Sequence, residues 1–254
     1  ARGGPKVTTI DWTPLLAHLD RPSALWPKKI ELDDVGLQFE GKPPLFAGLN
    51  LTIDSGDFIL IQGPSGSGKS SLLRLLNRLQ DPTTGDVLVD GASTAEGDIT
   101  RLRRALAWVQ QTPVVIDGSV ADNLTWAFGF DIAKRKSPPD RETLRGWLDA
   151  VLMEDVALDD DASVLSVGQQ QRLSIVRALL TGPTLLLCDE PTSALDDASR
   201  EIVQDWLERV NIEKGIGVVM VTHLPFTPRR ARVRRLLLEA GSLIEQQSER
   251  GAEA

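Results

Sequence analysis

The chain has 254 residues, with 28 Lys and Arg against 36 Asp and Glu, so its formal charge is −8 at neutral pH. That acidic balance argues against a nucleic-acid binder, which needs a positive face, whereas 41% hydrophobic and 25% charged residues fit a globular protein able to bury a core. The lone Cys188 excludes an intramolecular disulfide and a multi-cysteine zinc site and suits a reducing cytosol, no apolar run reaches the ~18 residues of a membrane span, and the N-terminus lacks a secretory h-region.

Residues 1–28 carry scattered Pro and Gly and read as an extended lead-in, with one short helix expected around Leu15 to Leu19. From Lys29 short β-rich runs follow, Ile30 to Leu32 and Leu49 to Ile53, with a turn near Gly41 to Pro44. Phe58 to Ile61 reads as a buried strand that runs straight into a Gly-rich loop. Leu72, Leu75, Leu76 and Leu79 share one helical face, and Asp81-Pro82 is the expected stop. Ala105 to Val109 is the next strand candidate. Residues from about 114 to 182 carry helical spacing instead: Leu144, Trp147, Leu148 and Val151, then Leu173, Val176, Leu179 and Leu180. Strands return at Thr184 to Cys188 and Val218 to Val221, separated by an amphipathic helix with Ile202, Val203, Trp206, Leu207 and Val210. A hairpin is expected to pair Leu236 to Leu238 with Leu243 to Glu245 around Gly241, before a tail at 247–254. Strands alternating with helices imply a mostly parallel α/β sheet, here with a helical insertion. No internal repeat at a fixed period is present.

Gly63-Pro64-Ser65-Gly66-Ser67-Gly68-Lys69-Ser70 fits G-x-x-x-x-G-K-[ST] in full, with Ser71 next in the helix that follows. Its glycines permit the tight turn that aims successive N–H groups at phosphate oxygens, and the helix start adds partial positive charge. Lys69 supplies a full charge for β- and γ-phosphates, and Ser70 a hydroxyl for Mg²⁺. The alternative, a Gly/Ser-rich surface turn, lacks a reason for the strand before the loop and the amphipathic helix after it.

Leu185-Leu186-Leu187-Cys188-Asp189-Glu190 is an apolar strand ending in two carboxylates. In an open α/β sheet that end faces the ligand crevice, so Asp189 is the candidate to hold Mg²⁺ and Glu190 the candidate base for an attacking water. On its own the pattern also fits a plain acidic strand end. About seventeen residues upstream of Asp189 lies Leu165-Ser166-Val167-Gly168-Gln169-Gln170-Gln171-Arg172, which resembles the signature of ATP-binding-cassette (ABC) ATPases.

Further landmarks of that family occur in order. Gln111, before Thr112-Pro113, resembles its Q-loop glutamine, a further candidate Mg²⁺ contact; Ser193-Ala194-Leu195-Asp196 resembles the D-loop; and His223 resembles the switch histidine. Phe39 resembles the aromatic that stacks on adenine, with core packing as its alternative. The resemblance covers residues 29–246. It implies a RecA-like P-loop NTPase core with an antiparallel β-subdomain and an inserted helical subdomain, and ATP and Mg²⁺ as ligands. It also implies a homodimer in the ATP-bound state, in which Ser166, Gly168 and Gln169 reach the partner's nucleotide in trans. Separate transmembrane permease subunits would then place the chain at the cytoplasmic face of the inner membrane.

One departure stands out: Val167 occupies the signature's usual first glycine. A β-branched residue is compatible only with negative φ there, so that geometry is expected. Val167, the short segment from Gln111 to Ser166 and Val120-Ala121-Asp122-Asn123-Leu124 also resemble the subgroup of bacterial iron-export and plant aluminium-tolerance ATPases. Trp126, Phe128 and Phe130 are candidates to line the groove where the family receives a coupling helix, with core packing expected for at least two of them. The arginines at 229, 230, 232, 234 and 235 and the acidic run Asp159-Asp160-Asp161 read as solvated surface. Two rival functions stay open on the sequence, a soluble ABC protein without a transport role and a regulatory cassette that binds ATP with little turnover.

Overall fold

The computed structural model describes Leu15, Leu16, Leu19 and residues 27–130 and 137–246. Its strands are β1 (Lys29–Gln38), β2 (Pro44–Asp54), β3 (Phe58–Gln62), β4 (Thr84–Val89), β5 (Ala92–Ser93), β6 (Leu106–Val109), β7 (Leu185–Asp189), β8 (Gly217–Val221), β9 (Val233–Glu239) and β10 (Ser242–Gln246). The helices are α1 (Lys69–Leu76), α2 (Ile99–Ala105), α3 (Val120–Thr125), α4 (Arg141–Ala150), α5 (Val167–Leu180) and α6 (Asp197–Lys214). Two sheets result. One has four strands in the order β2-β1-β4-β5, and its pairings are antiparallel. The other runs β10-β9-β3-β8-β7-β6, parallel except where β10 folds back on β9.

The apolar run of β3 is buried on both faces, as parallel central strands require. Phe58 and Leu60 point into one core, with Leu186, Cys188, Val218 and Met220 from the neighbouring strands. Ile59 and Ile61 point into the other, with Leu185, Leu187, Val219 and Val221. The first core is closed by α3 to α6, where Trp147 of α4 meets Trp206 of α6 edge-on at 5.1 Å between ring centroids. The second is closed by α1, α2 and the inner face of the antiparallel sheet, including Phe46. The centre of the large sheet is therefore a wall between two hydrophobic cores, while its edge strand β10 is largely exposed.

The helix after the Gly-rich loop is shorter than its spacing suggests. It ends at Leu76, because Arg78 turns into the left-handed region at φ 53° and the N–H groups of Leu79 and Gln80 return to the carbonyl of Arg74. Leu79 is consequently exposed rather than on the buried face. Of the lead-in helix, Leu15 and Leu16 are helical and, with Leu19, belong to the first core. The rest of residues 1–26 and the tail at 247–254 lie outside the described residues.

Candidate active site

Parallel pairing brings four sequence landmarks to one edge. The Gly-rich loop leaves the C-terminal end of β3, His223 follows β8, Asp189 closes β7 before Glu190, and Gln111 follows β6. Ile61 pairs with Val221, Val221 with Asp189, and Cys188 with Val109, so the four strands end nearly level. This is the edge of a parallel sheet at which ligands bind.

Around Gly63–Ser70 the backbone is bare by necessity. Gly68 is the N-cap of α1 at φ 98°, and a Cβ there would lie 2.5 Å from the Phe46 ring. A glycine cap brings no side chain, and no side-chain hydrogen bond covers the first turn of α1. Its N–H groups are left for a ligand. Gly66, at φ 80°, has open space where a Cβ would sit. Lys69 is buried and its Nζ donates to the carbonyls of Gly63 and Pro64, both at 2.9 Å, which curls the loop around an ammonium. A bare loop, an uncapped helix start and a buried cation form a cradle for a phosphate chain.

Ser70 Oγ donates to Asp189 Oδ1 at 2.9 Å, joining the loop to the end of β7. Asp189 is 5% exposed, and that burial pushes its carboxyl above the usual carboxylate range, against the Ser70 hydrogen bond and the nearby Arg74 and Lys69 charges. No group of three or more His, Cys, Asp or Glu among the described residues forms a metal cage. A hydroxyl and one carboxylate beside a phosphate cradle would instead suit Mg²⁺, which keeps waters and phosphate oxygens as its other ligands.

Glu190 sits at φ 47°, in the left-handed region that a residue with a side chain seldom occupies. Three hydrogen bonds hold it there: its N–H to the Val221 carbonyl at 2.9 Å, and the Ser193 N–H and hydroxyl to its own carbonyl at 3.2 and 3.1 Å. The turn aims the carboxylate sideways along the sheet edge. There Oε2 lies 2.9 Å from His223 Nδ1 and 3.4 Å from Gln111 Nε2. Glu190 is thus the meeting point of the β6, β7 and β8 loops.

A cavity of about 910 Å³ opens over these groups. Ser65, Gly66, Gly68, Lys69, Ser70 and Ser71 line it from the loop, and Gln111, Glu190 and His223 from the other strands. Its far wall is Phe39 and the β1–β2 turn, Lys42 to Leu45. Phe39 is exposed rather than part of the core. The contribution of Lys42 to Leu45 had no sequence signal beyond the turn itself. Gly63, Pro64 and Ser67 shape the loop from behind, and Ser67 Oγ is buried without a hydrogen-bond partner.

The signature stands apart from this cavity. Ser166 is the N-cap of α5 and exchanges hydrogen bonds with Gln169, a capping box. Val167 is the first helical residue, outside the set with positive φ, and remains 59% exposed. Neither Ser166, Gly168 nor Gln169 lines the chain's own cavity.

The sequence model of one family, described as ABC transporter, matches residues 46–193, more than half of the chain. The chain belongs to the ABC transporter family. Protein STAR1 of Oryza sativa subsp. japonica is 37% identical over 201 residues, which are 79% of this chain and 57% of the rice protein. The methionine import ATP-binding protein MetN of Caulobacter vibrioides is 36% identical over 226 residues, 85% of this chain and 66% of that one. The chain thus spans about three-fifths of the length of these two relatives. Among solved structures, a bacterial Atm1-family ABC exporter with ATP bound superposes with a TM-score of 0.76 at 27% identity, over 91% of this chain and 39% of that one. The ATP-binding cassette MJ0796, in a dimeric post-hydrolysis state with ADP and Pi, gives 0.73 at 30% identity, over 88% of this chain and all of that one. Fold and family agree with the RecA-like reading and with an ATPase cassette of the transporter type.

One surface expectation changes and two gain detail. Trp126 and Phe130 are exposed and stack edge-to-face at 4.7 Å, and Phe128 is half-buried, so core packing does not account for two of the three. In the arginine run Arg229, Arg230 and Arg232 are exposed, as a solvated face requires, and Arg229 meets Glu201 at 3.0 Å there; Arg234 is half-buried and meets Asp57 at 2.8 Å and Glu245 at 3.2 Å. The acidic run is exposed, but Asp160 and Asp161 accept backbone N–H groups of their own turns, and Asp159 pairs with Arg141 at 2.6 Å.

Burial of Asp189 has a measurable consequence. A carboxyl whose pKa is raised by folding stabilises the fold below its unfolded pKa, and that contribution is lost as pH rises through the folded value. At pH 7 without divalent ions the ionised Asp189 therefore costs stability, and Asp189→Asn, which keeps an acceptor for Ser70, should melt higher than wild type in EDTA. Each kcal/mol recovered corresponds to about 2–4 °C, and the difference should narrow toward pH ~4. Thermal melts across that range check it; an equal or lower melting temperature for the variant at pH 7 contradicts it.

Proposed function

We propose that the chain is the ATP-binding and ATP-hydrolysing subunit of an ABC transporter, energising transport through separate membrane subunits. The observation that carries this reading is the convergence on Glu190. A strained, partly enclosed carboxylate, contacted by His223 and Gln111, borders a cavity whose opposite side is a phosphate cradle. In this reading Lys69 and the first-turn N–H groups of α1 bind the β- and γ-phosphates. Phe39 offers a stacking face for adenine at the other end of the cavity.

Mg²⁺ would be held by Ser70 and Asp189, with Gln111 nearby, and supplies neutralisation of charge on the β- and γ-phosphate oxygens. Glu190 accepts the proton of the attacking water. His223 and Gln111 are polar groups that orient Glu190 and the water. The exposed signature, with Ser166, Gly168 and Gln169 at a capped helix start, would meet the γ-phosphate of a second copy, closing two chains head to tail around two nucleotides. The dimeric MJ0796 cassette supports that step by similarity.

For the membrane partner, one feature supports the reading. A groove of about 920 Å³, lined by Trp108, Trp126, Phe128, Phe130 and Leu79, leaves aromatic faces open and shares no lining residue with the nucleotide cavity. In this reading a short helix of the permease subunit docks there, and the chain works peripherally at the cytoplasmic face of the membrane.

Two variants separate binding from chemistry. Glu190→Gln should retain nucleotide affinity, slow ATP hydrolysis by about 10²–10⁴-fold and accumulate an ATP-bound dimer on gel filtration. Lys69→Ala removes a charge-assisted contact to phosphate and should weaken ATP binding by about 10-fold or more. Steady-state phosphate release and a fluorescent-ATP titration check the pair. Wild-type turnover in the glutamine variant would overturn the assignment of Glu190.

A further inference from the structure

Glu208 lies in the middle of α6, well away from the nucleotide cavity, and is 1% exposed. A buried carboxylate is tolerated only when its oxygens are well bonded. Here the partners are three consecutive backbone N–H groups. Arg229 donates at 3.0 Å to both oxygens, and Arg230 and Ala231 donate to Oε2 at 2.6 and 2.8 Å. Successive N–H groups turned toward one anion form a concave anion site, and in this chain the anion is built in. Nothing in the nucleotide site uses it.

The rest of α6 repeats the theme at helical spacing. Gln204 Nε2 donates to the Pro225 carbonyl at 3.3 Å, Glu201 pairs with Arg229, and Asp205 stands 3.9 Å from Arg230. One face of the helix, residues 201, 204, 205 and 208, therefore holds the segment from Pro225 to Ala231 along its length. Phe226 seats the same segment in the core, tilted against Phe58 of β3 at 5.3 Å, and Arg235 donates to its carbonyl at 2.8 Å. This strap has no regular secondary structure of its own. It begins two residues after His223.

At its other end α6 starts from Asp196, which caps it by accepting the Ser199 N–H at 3.0 Å. The turn that delivers Asp196 is the one that holds Glu190 in its left-handed conformation, through Ser193. One rigid helix thus controls two chain segments: its start fixes Glu190, and its middle fixes the strap that leads from His223. We propose that Glu208 is a positioning residue for the reaction. By clamping residues 229–231 it sets where His223 stands, and α6 serves as the ruler that fixes the 2.9 Å contact between His223 and Glu190. Glu208 does not line the nucleotide cavity; it acts through the histidine. The inference rests on the ATPase reading for its catalytic consequence and on geometry alone for the clamp.

The test has two arms, read on the purified full chain. The first needs no ATP turnover. The chain has only two histidines, so the imidazole signals of His223 are readily followed by NMR, with His223→Asn giving the assignment. Glu208→Gln should shift the His223 signals and raise hydrogen exchange at Arg229, Arg230 and Ala231, whereas Glu213→Gln, which breaks a partly exposed pair with Arg209 away from the strap, should leave the histidine signals in place. In the second arm, Glu208→Gln should lower kcat by about 10-fold or more, since small misplacements of a catalytic contact are costly, with KM for ATP within about 2-fold. Glu208→Asp, which keeps the charge, should recover part of kcat. If Glu208→Gln does not fold, Glu208→Asp and wild-type exchange carry the test: the three amides should be protected in wild type and more open in the aspartate variant. Unmoved His223 signals, or amides at 229–231 that exchange like an open loop in wild type, overturn the clamp. His223 signals that move in Glu208→Gln, alongside a wild-type chain that hydrolyses no ATP, would retain the clamp and overturn the ATPase reading instead.

Discussion

The parallel register of β3, β8 and β7 is the constraint on which the site depends. Three strands that are apolar up to their last residues, and buried on both faces, end level with one another. Each then releases a loop at the same height. The phosphate cradle, the two carboxylates and the histidine come from positions 63 to 223 in the chain, and the sheet alone brings them within hydrogen-bond reach. A shift of one residue in β7 would turn Asp189 away from Ser70 and carry Glu190 off the sheet edge, because side chains alternate between faces. Two hydrophobic cores, one on each face, hold that register, so the stability of the fold and the geometry of the site have a common source.

Against this rigid wall the site contains local departures from relaxed geometry. Glu190 has positive φ without being glycine, Gly68 caps a helix without a capping side chain, and Asp189 is buried beyond what its hydrogen bond to Ser70 offsets. Each is unfavourable for the chain by itself and each suits a ligand: a carboxylate aimed at water, N–H groups aimed at phosphate, and an acid ready for a cation. The strap after His223 completes the set, since the histidine is mostly exposed and depends on that downstream segment for its position.

Most of the site could be read from the sequence because its chemistry is local. A Gly-rich loop between a strand and a helix, or two carboxylates closing an apolar run, carry their meaning within a few residues. The central strands are equally clear, since Phe58 to Ile61 and Val218 to Val221 are too short and too apolar for anything else. The features that could not be read are long-range. The paired β4 and β5 lack strong alternation, and the end of α1 depends on Arg78 turning left-handed, which no residue type there announces. The aromatics at 126 and 130 look like core residues in one dimension and lie on the surface in three. Glu208 illustrates the same limit: its partners are backbone N–H groups more than twenty residues away, which no count of charges along the chain can show.

In the proposed function one chain carries a complete nucleotide cavity but only half of a working site, the other half being the signature of a second copy. Specific ATPase activity measured against chain concentration tests it most directly. Turnover per chain should rise with concentration as dimers form and then level off, with half-maximal activity at the concentration where ATP-bound dimers reach half occupancy. Turnover per chain that is constant down to the lowest measurable concentration, or absent at every concentration, would contradict the account.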